Sequence, residues 1–378
     1  MIADELFQTF PSILETKMNR RAALLTGLFA AASLFSTSAF AADAPTTKPT
    51  KAKKVEDPKV KTTFTDPEAA GVDYKLQGEY AGTAGSEKWG AQVIAMGDGK
   101  FHAVFEPGGL PGDGWDAKTR YESEGELDGD KVTLVPATKV AWEEGHVPPP
   151  VEIKKGFDAT ITGDTLTGKT DTGAEFTLKK TVRHSPTEGL KPPEGAIILF
   201  DGSNADAFNN TKVIDGNLLK EGGESKQKFT DYTLHVEFYL CFKPFARNQE
   251  RGNSGVYNQH RYETQVLDSF GVKGMDNECG GIYTKNPPAA NMCYPPLTWQ
   301  TYDIEFTAAR YKDGKKVSDA EETCKHNGVL IQDHFKINGP TGGGQKEDPS
   351  EAVQSGPLYL QEHGNPVAFR NVWIVEKK

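Results

Sequence analysis

The chain has 378 residues and a formal net charge of −10, an acidic balance that argues against nucleic acid as a partner. Its 39 Gly and 23 Pro are spread among few long apolar runs, which favours many short strands and turns over helices. The length suffices for two domains after removal of a leader.

Met18 to Ala41 reads as a secretory signal. Arg20 and Arg21 open it, Ala22 to Phe35 is apolar, and Ala39-Phe40-Ala41 offers a small-x-small cleavage site. The apolar stretch is shorter than the roughly 20 residues of a spanning helix. An exported chain beginning at Ala42, without an integral membrane segment and residing in the periplasm or at the cell surface, is therefore expected. Asp4, Glu5 and Glu15 suit the front of a signal badly, so translation is expected to start at Met18. Residues 42–73 follow as a linker in which Lys48, Lys51, Lys53, Lys54, Lys59 and Lys61 alternate with Pro and Thr.

Residues 74–185 read as a series of hairpins. Gly97-Asp98-Gly99, Asp128-Gly129-Asp130, Gly163-Asp164 and Thr172-Gly173 each separate short alternating stretches, and such turns are strong hairpin signals. A small antiparallel barrel or sandwich is expected here. The glycine-rich stretch Pro107 to Trp115 lacks the following helix and the Lys of a phosphate cradle. Trp115 and Trp142 are candidate sugar-stacking rings, with ordinary packing as the more frequent role.

Residues 186–194 form a second, proline-rich linker, and residues 195–378 form a further β domain. Its expected strands include Tyr232 to Phe242, Gly255 to Tyr257, Tyr262 to Leu267, Thr301 to Ala308, Gly328 to Gln332, Gly356 to Gln361 and Ala368 to Val375. In the first of these, Leu234, Val236, Phe238 and Leu240 alternate with Thr233, His235, Glu237 and Tyr239, the pattern of one buried and one wet face. Two such sheets packed face to face make an all-β jelly roll with a concave, saccharide-sized side. Of the four cysteines, all in this half, Cys279 with Cys293 is the favoured bridge, with buried free thiols as the alternative.

The chemistry concentrates on two strands. Glu263, Gln265 and Leu267 share one face, since strand side chains alternate. An acid beside an amide is a poor core pair but suits sugar hydroxyls, which both donate and accept. A second polar strand carries Gln361 and His363, followed by Arg370. Glu263 is the first candidate for general acid or base, with Gln265 orienting substrate and His363 transferring protons near neutral pH. Arg370 is a candidate donor to a substrate oxygen, with an ion pair to a carboxylate such as Glu305 as its structural alternative. Asp268, Gln361, Tyr283 and Trp299 are further candidate substrate contacts. No metal-ligand set is assigned. Asp276, Asn277 and Glu278 form an oxygen-rich cluster of the kind that can hold a divalent cation such as Ca²⁺, though without the spacing of a calcium loop.

Several of these segments occur in the order of one known family. They are Gly252 to Tyr257, Tyr262 to Ser269, Cys279 to Tyr283, Trp299 to Ile304, Asn327-Gly328-Val329, Leu360 to Gly364 and Val367 to Ile374. From about Gly195 to its C-terminus the chain resembles the 3-keto-disaccharide hydrolase domain. The resemblance implies a concanavalin-like jelly roll acting on 3-keto sugars, a chemistry that composition and spacing do not show. A ketone at C3 acidifies the C2 proton, so the glycosidic bond can break by elimination and hydration as well as by direct hydrolysis. The rival expectation is a carbohydrate-binding module that uses the same groove without catalysis.

Overall fold

A computed structural model describes residues 58–139 and 145–377. The expected signal, residues 42–57 of the linker and Trp142 lie outside the described residues. Among the described residues no helix is long and apolar enough to cross a membrane, and the single α-helix is the short segment Gly71–Leu76.

The N-terminal domain is built from β1 (Gly78–Ala84), β2 (Glu87–Gly97), β3 (Lys100–Pro107), β4 (Thr119–Asp128), β5 (Lys131–Pro136), β6 (Glu152–Lys155), β7 (Ala159–Thr162), β8 (Thr165–Lys169) and β9 (Glu175–Thr181). Antiparallel pairing runs from β1 through β2, β3, β4, β5, β7, β8 and β9, and β9 pairs back with β1. The sheet therefore closes into an eight-stranded barrel, with β6 attached in parallel to β4. Period-two alternation fills it: Ala91, Val93, Phe101, Ala103, Phe105, Leu134, Ile161 and Leu178 make its interior. The β2–β3 turn follows from its sequence, because Asp98 (φ 53°) and Gly99 (φ 70°) both take the left-handed conformation of a tight hairpin.

The C-terminal domain contains β10 (Ile197–Phe200), β11 (Phe208–Asn209), β12 (Val213–Ile214), β13 (Leu218–Lys220), β14 (Glu224–Phe229), β15 (Tyr232–Tyr239), β16 (Ser254–Asn258), β17 (Tyr262–Val266), β18 (Trp299–Thr307), β19 (Arg310–Lys312), β20 (Lys315–Ser318), β21 (Ala320–His326), β22 (Val329–Ile337), β23 (Gly356–Leu360) and β24 (Ala368–Glu376). One sheet has the order β12-β13-β24-β15-β18-β21-β22, with β10 also on β24, and the second has the order β11-β14-β23-β16-β17. Their facing sides meet in one core, where Val236, Phe238, Tyr302 and Ile304 pack with Val256, Val266, Leu358 and Leu360. This is the expected all-β, sandwich-like architecture.

Two expectations change. The wet face of β15 is not wet: His235 and Glu237 are fully buried, because the proline-rich segment lies across them and Gly189 N donates to Glu237 Oε1 at 2.6 Å. The four cysteines are buried free thiols, so the Cys279–Cys293 bridge is not formed. Instead, the Cys279 thiol lies 3.2 Å from the Tyr302 hydroxyl.

The barrel's outer face over β1 to β4 is also covered. Glu79, Gln92, His102, Glu106, Arg120 and Glu122 are all buried, although they alternate with the barrel's apolar interior. Ile94 on this face joins the sandwich core, and Arg120 Nη2 donates to Gly271 O at 2.9 Å. Gly271 has φ +72°, and a Cβ there would come within 2.7 Å of Ile94 Cγ1. Gly271→Ala therefore combines a left-handed backbone with overpacking of the domain seam. It should lower the unfolding free energy by about 1–3 kcal/mol in urea titration, whereas an unchanged midpoint would mean that the seam is looser than this contact implies.

Candidate active site

The hairpin β16–β17 builds the site. Its register sets Tyr257 opposite Glu263 and Gly255 opposite Gln265. Tyr262 and Val266 point into the core, so Glu263 and Gln265 point out on the other face. Gly255 is required by close approach, since a Cβ there would stand 2.4 Å from Glu263 Oε1. Leu267, past the strand end, turns back into the core.

These side chains open onto a cleft of about 330 Å³ lined by Gln249, Asn253, Tyr257, Glu263, Gln265, Tyr283, Gly342, Gly343, Gln361 and His363. The structure thus brings together five of the residues singled out in the sequence: Glu263, Gln265, Gln361, His363 and Tyr283. It does not bring Asp268, Trp299 or Arg370 to them. Asp268 is buried, and its Oδ2 accepts from Arg251 Nε at 2.7 Å. Trp299 lines a separate cavity between barrel and sandwich. The Arg370 guanidinium lies 3.8 Å from the Trp299 ring centroid. Its Nε donates to Glu237 Oε2 at 2.7 Å and its Nη2 to Glu188 Oε1 at 2.8 Å. Arg370 is therefore ion-paired, but to Glu237 on the neighbouring β15 and to Glu188 of the proline-rich segment; Glu305 pairs with Lys377.

Glu263 is 2% exposed and has no cation beside it among the described residues. Burial raises its carboxyl from 4.5 to about 8, a rise that the Tyr257 hydrogen bond only partly offsets. The bonding around Tyr257 points the same way. Its hydroxyl lies 2.7 Å from Glu263 Oε2, 2.9 Å from Gly342 O and 3.2 Å from Gln361 Nε2. A phenol has one hydrogen to give, and the Gly342 carbonyl can only accept. All three contacts are satisfied when Tyr257 donates to Gly342 and accepts from Gln361 and from a protonated Glu263. The loop that supplies this carbonyl also holds the strand, because Glu263 N donates to Thr341 Oγ1 at 3.0 Å.

The rest of the cleft is amide-rich. Gln265 Nε2 donates to Gln249 Oε1 at 3.1 Å and to Asn277 O at 3.3 Å, and Asn253 Nδ2 donates to Gln249 Oε1 at 3.1 Å. Asn253 Oδ1 and Gln361 Oε1 have no hydrogen-bond partner among the described residues, so two acceptors in the wall await donors. His363 is exposed at the rim and Tyr283 is half-buried beside Glu263. Reading strands alone missed Gln249, Asn253 and the Gly342–Gly343 loop. The signal for Tyr257 was present, two residues beyond Gly255 on the same face.

Backbone donors hold part of the Asp276–Glu278 cluster. Glu278 Oε2 accepts from Gly274 N at 2.7 Å and Met275 N at 2.8 Å, and Asp276 Oδ1 accepts from His146 N at 2.8 Å. Asp276 Oδ2 and Asn277 Oδ1 are buried without a hydrogen-bond partner among the described residues, and among those residues no group of three or more His, Cys, Asp or Glu could hold a metal ion.

An all-β sandwich whose outer sheet face carries a buried acid in an amide-lined cleft is the class that fold and site define. Residues 195–375 match the family model of the 3-keto-alpha-glucoside-1,2-lyase-like domain. A crystal structure of a Parabacteroides distasonis protein, assigned as a glycosyl hydrolase, shares 32% identity over 56% of this chain and 98% of its own, with a TM-score of 0.45. A second from the same organism, with the same assignment, shares 17% identity over 52% of this chain and 99% of its own, with a TM-score of 0.34. No curated protein matches the chain. Through its C-terminal half the chain belongs to the 3-keto-alpha-glucoside-1,2-lyase-like family.

Three buried carboxyls make stability depend on pH. Burial holds Glu106 and Glu263 at about 8 and Glu322 at about 7, against 4.5 for an ordinary Glu. Each binds its proton more tightly folded than unfolded, so its contribution is complete below 4.5 and is lost as pH rises through 7 to 8. The urea midpoint should fall between about pH 5 and about pH 8.5, and Glu263→Gln should flatten part of that fall. An equal slope in the variant would remove Glu263 from the set.

Proposed function

We propose that the cleft cleaves the glycosidic bond of 3-keto-glycosides in an exported, carbohydrate-active enzyme. The observation that carries this reading is Glu263, a carboxyl kept neutral near pH 7 by burial at the floor of an open cleft. A neutral acid can protonate a departing glycosidic oxygen. His363 at the rim supplies the complementary base. It takes the C2 proton made acidic by the C3 ketone, the C1–O bond breaks, and Glu263 gives its proton to the leaving oxygen. The products are the free alcohol and a 1,2-unsaturated 3-keto sugar. In the second half, water adds to C1 and leaves a proton on the Glu263 carboxylate, while the imidazolium returns its proton to C2. The sum is hydrolysis; stopping after the first half is a lyase reaction. The cleft amides and the Tyr283 hydroxyl, which has no hydrogen-bond partner among the described residues, are the donors available to the enolate oxygen. Family membership and the glycosyl hydrolase assignments of the relatives support this reading, and the Met18 to Ala41 segment supports export.

A binding module is the less favoured alternative. Sugar-binding surfaces rely on open Trp and Tyr platforms, whereas the aromatic residues of this cleft are the buried Tyr257 and the half-buried Tyr283. Among the described residues no Trp lines it, and Glu263 has no cationic partner to account for its burial.

The test incubates the protein with a 3-keto-disaccharide and with its unoxidised parent, following products by mass. The keto form alone should turn over. Glu263→Gln should lose about 10²–10⁴ of the rate. In the parent protein the rate should fall as pH rises through about 8, where the acid form is lost. Equal cleavage of both sugars would remove the ketone from the mechanism, and binding without turnover would leave the module.

A further inference from the structure

Two turns hold the amide end of the cleft, and both rest on the barrel. The first, residues 247–251, carries Gln249. On one side of it Arg247 Nη2 donates to Met96 O at 2.8 Å, and on the other Arg251 Nη1 reaches Ala95 O at 3.5 Å. Both carbonyls belong to the end of β2. Arg251 itself is fully buried and held by Asp268.

The second turn spans residues 275–278. His146 N donates to Asp276 Oδ1 at 2.8 Å, and Asp276 N donates to Val147 O at 3.2 Å. A Cβ on Gly145 would come within 2.7 Å of Met275 Cβ and 2.8 Å of Asn277 Oδ1. Residues 145–147 of the N-terminal domain thus lie flush on this turn. Gln249 Nε2 then joins the two turns by donating to Asn277 O at 2.8 Å, and Gln265 Nε2 contacts both.

We propose that the N-terminal barrel is a working part of the sugar site, clamping both turns and thereby fixing the Gln249 and Gln265 amides that grip a sugar ring at that end of the cleft. The proposal rests on the reading of this cleft as the sugar site. Gly145 and Arg247 are positioning residues, acting through Asn277 and Gln249 and not on the reacting atoms. The family's domain spans residues 195–375 and leaves the barrel out, and Glu263 is held by Tyr257 and Thr341 of the sandwich, so the clamp acts on recognition. A free amide adapts to many partners, whereas one held from two sides accepts only hydroxyls in matching positions.

The experiment uses the full chain with Gly145→Val, Arg247→Gln and, as a conservative rescue, Arg247→Lys. Lys131→Ala on exposed β5 is the control. Two measurements are made: KM and kcat on a 3-keto-disaccharide, and backbone hydrogen exchange without sugar in peptides covering residues 247–253 and 263–281. Clamping predicts that Gly145→Val and Arg247→Gln raise KM about tenfold with kcat within about twofold, speed exchange in those peptides, and leave the control unmoved, with Arg247→Lys partly restored. Unmoved exchange in both variants overturns the proposal, as does a loss of kcat at constant KM. If no sugar is turned over even by the parent protein, the function above fails while the exchange measurement still decides the clamp. Should Gly145→Val not fold, Arg247→Gln alone carries the test.

Discussion

The site depends on one constraint: a carboxyl buried without a cation. Glu263 sits where it does because β17 alternates and because the register of β16 places Tyr257 opposite it. Gly255 leaves the space that its Oε1 fills. The only hydrogen bond its carboxyl makes among the described residues is to the Tyr257 phenol, and that phenol is itself committed to the Gly342 carbonyl. Loop, hairpin and neighbouring strand therefore converge on one proton, and an ionised Glu263 would leave one of these groups without its partner.

The other sheet of the sandwich holds the counter-example. Glu237 is also fully buried. Burial works against its ionisation too, but hydrogen bonds from His235, Asn371 and Arg370 hold it at about 2. Two glutamates of one domain, equally dry, are thus driven in opposite directions by what surrounds them. A carboxylate already neutralised by a guanidinium has no proton to give and little basicity to offer. A neutral carboxyl at a cleft floor has a proton to give. The contrast assigns Arg370 to the structural network and is the reason the proposed chemistry is given to Glu263.

The sequence made one half of this arrangement legible. Period-two alternation placed Glu263 and Gln265 on one face, Gly-Asp-Gly placed the β2–β3 turn, and the polar strand ending in Gln361 and His363 did meet the hairpin. Those are local signals, read within a strand or across a two-residue turn. What stayed hidden was non-local. Arg370 alternates like a groove residue, yet whether its strand faces the cleft or the opposite side depends on sheet assignment, which alternation does not encode. Asp268 stood as a candidate substrate contact because its partner Arg251 lies 17 residues away. Gln249 and Asn253 belong to an irregular turn with no period to read. The wet faces of β1 to β4 and of β15 were dry for the same reason: the covering element came from another part of the chain.

That covered face explains how the barrel could act on the cleft. The seam is not a greasy patch that tolerates sliding. Within the barrel's covered face, Arg183 pairs with Glu79, and Arg120 with Glu122, which also contacts His102 at 2.8 Å. Those pairs travel with the barrel; what orients it are the contacts that cross the seam, Arg120 Nη2 to Gly271 O at 2.9 Å, Arg247 Nη2 to Met96 O at 2.8 Å and the Arg183 guanidinium 5.0 Å from the Tyr294 ring centroid. Rotating the barrel by one strand would bring Glu106, neutral near pH 7 only in its present surroundings, against new partners and leave Arg120 without Gly271. Directional contacts of this kind select one docking orientation where a purely apolar seam would admit several. Only in that orientation do the Ala95 and Met96 carbonyls meet Arg251 and Arg247, and only then does Gly145 reach the turn beneath Asn277. The Arg120–Gly271 contact lies away from the cleft, yet it belongs to the same seam whose other contacts place the cleft's amides.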